Sequence, residues 1–110
     1  MTKLPMGVAN RFPFIRDWAF DRNLINGSTP QAQFVKLMEE IGELAEGLSK
    51  PGRTDAACDA IGDAVVVLTI IAEQLNVKIE DCIELAWSQI KDRKGQMIDG
   101  VFVKEVDLPG

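Results

Sequence analysis

Between Ile61 and Ala72 every residue is apolar except Gly62, Asp63 and Thr69. A helix through this stretch is hydrophobic almost all round, the pattern of a central helix covered on several sides. Its most apolar part, Ala64 to Ala72, is about half the length needed to cross a bilayer, so the cover must be protein. A chain of 110 residues has one domain's worth of core and few helices to supply that cover. The sequence therefore predicts that a second subunit contributes part of it.

The remaining pattern is also helical. A first helix is expected over about residues 12–23, with Ile15, Trp18 and Ala19 facing inward, after a loosely held arm over residues 1–11. Asn26-Gly27-Ser28-Thr29-Pro30 interrupts it. Ser28 or Thr29 can cap the next helix, Pro30 suits its first turn, and Gln31 can complete a capping box with Ser28. That second helix, about 30–48, carries Phe34, Leu37, Met38, Ile41, Leu44, Ala45 and Leu48 at the spacing of one buried face. Lys50-Pro51-Gly52 stops it. The third helix spans about 54–75, ended by Asn76, and the fourth about 78–94, closing on Lys91, Arg93 and Lys94 near its C-terminus. A hairpin over about 97–103 turns at Asp99-Gly100. The expected fold class is all-α: a four-helix bundle with a small C-terminal hairpin, assembled as a homodimer or a dimer of dimers.

Two acidic stretches lie within these helices, Glu39-Glu40-Ile41-Gly42-Glu43 and Asp59-Ala60-Ile61-Gly62-Asp63. Glu40 and Glu43 are helix neighbours at i, i+3, and Asp59 and Asp63 stack at i, i+4. Antiparallel packing of the two helices would bring these carboxylates to one spot, where they repel unless a hard divalent cation sits among them. Asp63 is the sharper signal, because a lone ionised carboxylate in so apolar a helix costs several kcal/mol without a partner. Lys36 and Arg53 are the available counter-charges.

Composition removes several alternatives. There is no histidine, which excludes Ser-His and Cys-His nucleophilic arrangements. Cys58 and Cys82 are too far apart for a Cys-x-x-Cys motif and are expected to be buried, reduced thiols. A net charge of −5 argues against coating a nucleic acid polymer. The N-terminus lacks the apolar core of a signal peptide, so a cytoplasmic protein with no membrane association is expected.

On the two acidic stretches the chain resembles the MazG-like nucleotide pyrophosphohydrolases of the all-α NTP pyrophosphatase superfamily. That family carries Glu-Glu-x-x-Glu on one helix and Glu-x-x-Asp on the next. The first half is complete here as Glu39-Glu40-Ile41-Gly42-Glu43. In the second half Gly62-Asp63 matches, but Ala60 stands where the family has a glutamate, and Asp59 is the nearest substitute. The resemblance covers about residues 12–95. It implies Mg²⁺-dependent hydrolysis of a (deoxy)nucleoside triphosphate to the monophosphate and pyrophosphate, with Mn²⁺ as a possible substitute, by a homodimer or homotetramer.

By that resemblance Glu40, Glu43 and Asp63 are metal ligands, with Asp59 added by its spacing. Glu39 and Glu43 are the candidates for catalytic roles, and Lys36, Lys91, Arg93 and Lys94 for phosphate contacts. Trp18 offers a stacking surface for the base. Alternatives are a phosphoribosyl-ATP pyrophosphohydrolase and a helical dimeric module that senses nucleotides or binds partners without catalysis.

Overall fold

A computed structural model describes residues 10–109, so residues 1–9 of the expected arm lie outside the described residues. The chain is mostly helical. It runs through α1 (Phe12–Asp21), α2 (Pro30–Leu48), α3 (Thr54–Gln74) and α4 (Ile79–Ile90) into strands β1 (Gly95–Ile98) and β2 (Val101–Lys104). It divides into two compact units, Met1–Glu80 and Asp81–Gly110, with the boundary in the first turn of α4. Among the described residues no helix is long and apolar enough to cross a membrane.

In the first unit α2 and α3 form an antiparallel pair. Gly47 meets Ala57, Glu40 meets Asp63, and Phe34 shares a groove with Ile71. Gly47 sets the closeness at the loop end: a Cβ there would stand 3.2 Å from the Ala57 backbone nitrogen. Apart from Glu40, the buried side chains among the described residues are small or β-branched, namely Ala57, Ala60, Val67, Thr69, Ile70 and Ala72 from α3 and Ala19 from α1. Thr69 satisfies its hydroxyl by donating to the Val65 carbonyl at 2.7 Å.

Helix ends follow sequence chemistry closely. Thr29 caps α2, its Oγ1 accepting from the Ala32 backbone at 3.1 Å, with Pro30 as the first helical residue. Ser28 instead accepts from the Gln33 side chain at 3.0 Å, so the Ser28–Gln31 capping box does not form. Asn23 and Asn76 both take positive φ, 57° and 62°. After each, a backbone amide reaches back across the last turn, Leu24 to Ala19 and Val77 to Ala72, which is the Schellman closure that asparagine tolerates. The first of these ends α1 at Asp21, two residues before its expected limit, and drops Leu24 into the interior side of the loop. Gln74 then ties that loop to α3 by donating to the Leu24 and Ile25 carbonyls, each at 3.4 Å.

The expected buried face of α2 is corrected. Phe34, Met38, Ile41 and Leu48 are exposed, whereas Glu40 and Gly47 are buried and Leu37 and Leu44 half-buried. The helix is rotated so that the Leu37–Glu40–Leu44–Gly47 side meets α3, and its most apolar stripe points away. Helix α3 likewise leaves Ile61, Val65, Leu68 and Leu75 exposed. Cys58 and Cys82 are free but exposed, not buried, because each lies on a helix face turned to the surface.

The second unit holds the rest of α4 and the hairpin. Strand β1 pairs antiparallel with β2 in the register Gly95–Lys104 to Ile98–Val101. Asp99 and Gly100 turn it with φ of 50° and 81°, the left-handed pair that a tight two-residue hairpin needs. The fourth helix ends at Ile90, not near residue 94. Lys91 closes the final turn on the Trp87 carbonyl, and the Lys94 carbonyl already accepts from Glu105, so the chain is committed to the hairpin there. The three basic residues therefore lie beyond α4 and do not compensate its dipole.

Candidate metal and nucleotide site

The site is built on one flank of the α2–α3 pair. Glu40, Glu43 and Asp63 each place a carboxylate oxygen within 4.8 Å of the other two. Glu40 is 5% exposed, Asp63 half-buried and Glu43 exposed, so the cluster opens from a buried base to the surface. Antiparallel packing brings it about, since residues three apart on α2 face a residue of α3 at the same height.

One oxygen of this cluster is orphaned. Glu40 Oε2 is buried and has no hydrogen-bond partner among the described residues. Among the described residues its cationic partner is Lys36, whose ammonium stands 3.6 Å from Glu40 Oε1 and 3.2 Å from Glu39 Oε2. Lys36 is largely exposed and shared between two acids, too little to balance three carboxylates. Burial above all, and then Glu43, push the Glu40 carboxyl above its usual range, against the opposing pull of Lys36. Burial, Asp59 and Glu40 do the same to Asp63. Both groups resist ionisation in the absence of a compensating cation.

Beside the cluster lies an open cavity of about 460 Å³, within the usual size of small-molecule sites. Trp18, Leu24, Gln33, Lys36, Glu40 and Asp63 are among the residues that line it. Trp18 is held by Arg22, which stacks 4.6 Å from the ring centroid and donates to the Trp18 carbonyl at 3.1 Å. A second cavity of about 410 Å³ shares Trp18 and Asp63 and adds Phe14 and Arg11. A third, about 190 Å³, adjoins the carboxylates on their other side and is lined by Glu43, Glu46, Asp59 and Arg53.

Of the candidates named from sequence, the fold gathers Glu40, Glu43, Asp63, Lys36 and Trp18. Asp59 is exposed and stands at the third cavity beside Glu43, outside the tight trio. Glu39 is exposed and engaged by Lys36 rather than turned into the cluster. Lys91, Arg93 and Lys94 belong to the second unit, where Arg93 and Lys94 line a hollow of their own with Lys104. Gln33 and Arg53 were not singled out for the site by sequence. Gln33 carried no pattern of its own, and Arg53 was visible only as a spare counter-charge in an acid-rich segment.

No family model matches the chain, and no solved structure matches it. A curated relative is an uncharacterized 18.2 kDa protein from the rep-hol intergenic region of Haemophilus phage HP1 (strain HP1c1). It is 52% identical over 63 residues, which is 57% of this chain and 38% of that protein. The matched stretch thus spans well under two thirds of the relative's own length.

Proposed function

We propose that the chain is a Mg²⁺-dependent nucleoside triphosphate pyrophosphohydrolase of the MazG-like kind, acting as a homo-oligomer. The observation that carries this reading is the orphaned, buried oxygen of Glu40 among two further carboxylates. Three hard oxygen donors, one of them desolvated and unpartnered, suit a small divalent cation that fills its remaining positions with water and phosphate. Glu40, Glu43 and Asp63 would hold it. Once bound, Mg²⁺ supplies charge neutralisation for the phosphates and makes a coordinated water more acidic.

The chain's own groups do the rest. Trp18, immobilised by Arg22, offers a flat apolar surface to a base in the larger cavity. Lys36 gives the phosphate chain one cation at the mouth of that cavity. The oxygen of water bonds to the α-phosphorus while the α–β bridging P–O bond breaks, its electron pair leaving on pyrophosphate. Glu43, the exposed member of the trio, takes the proton from that water and passes it to solvent.

The test is pyrophosphate release from a panel of ribo- and deoxyribonucleoside triphosphates, with Mg²⁺, Mn²⁺ or chelator, on the native chain and on Glu43→Gln. Chelator-sensitive pyrophosphate that drops at least 100-fold in the variant is the expected result. Single-phosphate release, or no turnover by folded protein, would overturn it and favour the nucleotide-sensing or partner-binding alternative.

A further inference from the structure

We infer that Arg53 is a substrate-binding residue of this site, receiving the two outer phosphates and then the leaving pyrophosphate. The inference rests on the hydrolase reading above and deepens it. Its basis is the order of chemistry along one flank of α2. Gln33 and Lys36 lie toward Trp18, Glu40 and Glu43 follow one and two turns later, and Glu46 and Gly47 come one turn after that, beside Arg53. At about 1.5 Å rise per residue, the Arg53 end stands roughly 5 Å beyond the carboxylates, on the side opposite Trp18. A nucleotide with its base at Trp18 and its α-phosphate at the carboxylates must direct its β- and γ-phosphates toward Arg53.

The surroundings of Arg53 suit such a role. Among the described residues it is the one cation lining the third cavity, with Glu43, Glu46 and Asp59. Its contact is a single long one, Nη1 to Glu46 Oε1 at 3.4 Å, and both side chains are exposed (44% and 67%). An ion pair of that kind contributes little and exchanges readily. A diphosphate offers the planar guanidinium a bidentate, doubly charged acceptor instead, a stronger match than one carboxylate oxygen. The other arginines of the first unit are differently engaged: Arg16 by Glu73 and Glu80, Arg22 by Trp18, Arg11 by Phe14. Arg53 precedes the first turn of α3, and its backbone carbonyl accepts from the Ala57 amide.

The experiment compares native protein with Arg53→Ala, Arg53→Lys and Glu46→Gln in two measurements, Mg²⁺-dependent turnover and calorimetric binding of inorganic pyrophosphate or nucleoside monophosphate with Mg²⁺. Arg53→Ala should weaken pyrophosphate about 10- to 100-fold, the span expected for a charged hydrogen bond, and leave monophosphate within about 2-fold. Arg53→Lys should restore part of the loss. Glu46→Gln, which frees the guanidinium without removing it, should tighten pyrophosphate about 2- to 5-fold. It serves as the test if Arg53→Ala does not fold. Unchanged pyrophosphate affinity in Arg53→Ala, or equal weakening of both products, would overturn the inference. A native protein silent in turnover would overturn the hydrolase reading instead, while pyrophosphate affinity still decides the role of Arg53.

Discussion

Glu40 shows what a buried, half-unpartnered carboxylate costs the fold that carries it. Its carboxylate is desolvated, half unpartnered and close to two others of like charge. Burial and repulsion raise its pKa, as they do for Asp63, and each raised value marks an ionised form that folding disfavours. The sign follows directly. Stability contributed by the neutral acid is present below its ordinary pKa and is lost as pH rises through the higher folded value. At neutral pH without metal, both residues therefore work against the fold. Replacing either with its amide (Glu40→Gln or Asp63→Asn) should raise the melting temperature of metal-free protein by several degrees. If the proposed site takes Mg²⁺, saturating Mg²⁺ should raise the native melting temperature further through preferential binding to the folded state, and the same changes should abolish that rise. Thermal scans with and without Mg²⁺ check both halves. Amide variants that melt below the native protein and still respond to Mg²⁺ would contradict the assignment. The trio was legible in the sequence because three- and four-residue spacings put acids on one helix flank. The separation of Asp59 and Glu39 from it was not, since it depends on the rotation of α2 against α3.

At the level of elements, most of the helix boundaries could be read from local chemistry. Thr29-Pro30 opens α2, Asn23 and Asn76 close α1 and α3, and Asp99-Gly100 turns the hairpin. Each is a short-range rule that a few residues satisfy alone. What failed were judgements that need a neighbour, such as where α4 yields to the hairpin and which face of α2 meets α3. Another contact invisible in sequence joins α1 to the first turn of α4. Arg16, only 14% exposed, makes a two-pronged pair with Glu80, one prong at 2.9 Å, and approaches Glu73 at 3.9 Å. The guanidinium, and to a lesser degree the backbone amide of Glu80 itself, hold the Glu80 carboxyl down to about 2. A depressed carboxyl contributes stability that is fully present above its unfolded value. That contribution fades as pH falls from roughly 4.5 toward 2. Native protein should therefore lose stability more steeply than Glu80→Gln between pH 5 and pH 2.5, with the two curves parallel above pH 6. Chemical denaturation at a series of pH values measures this. Parallel curves throughout would show the pair to be energetically idle.

At the scale of the whole molecule, the outstanding fact is the apolar surface left exposed among the described residues of the first unit. On α2, Phe34, Met38, Ile41, Ala45 and Leu48 recur in alternating steps of four and three, and on α3 Ile61, Val65 and Leu68 follow the same steps, with Leu75 seven residues on at its C-cap. All of the large side chains among them are exposed, from 36% at Val65 to 72% at Leu48. A repeat of that period is the seam of a helix packed against another helix, and it lies on the side of the pair away from the carboxylates. Together these side chains leave on the order of 800 Å² open, more than a monomer ordinarily tolerates and about one partner's share of a standard interface. The sequence pattern read the α2 positions as a buried face, and the structure leaves them exposed. It could not say that α3 of the same chain would leave them bare. We propose that a second copy of the chain covers them, stripe against stripe about a two-fold axis, giving four helices around a shared core. Such an interface would leave the carboxylate flank of each copy open. Sedimentation at micromolar concentration should then give twice the chain mass for native protein. A charge set in the middle of the seam, as in Ile41→Glu or Leu68→Glu, meets its own symmetry mate, so each change acts twice. Either should shift the protein to monomer or to unfolded aggregate, with a melting temperature that no longer rises with concentration. Glu39→Gln, on the same helix but off the stripe, should leave the native mass unchanged. If native protein sediments as a monomer at tens of micromolar with a sharp thermal transition, the stripes have another occupant and the two-fold assembly is wrong.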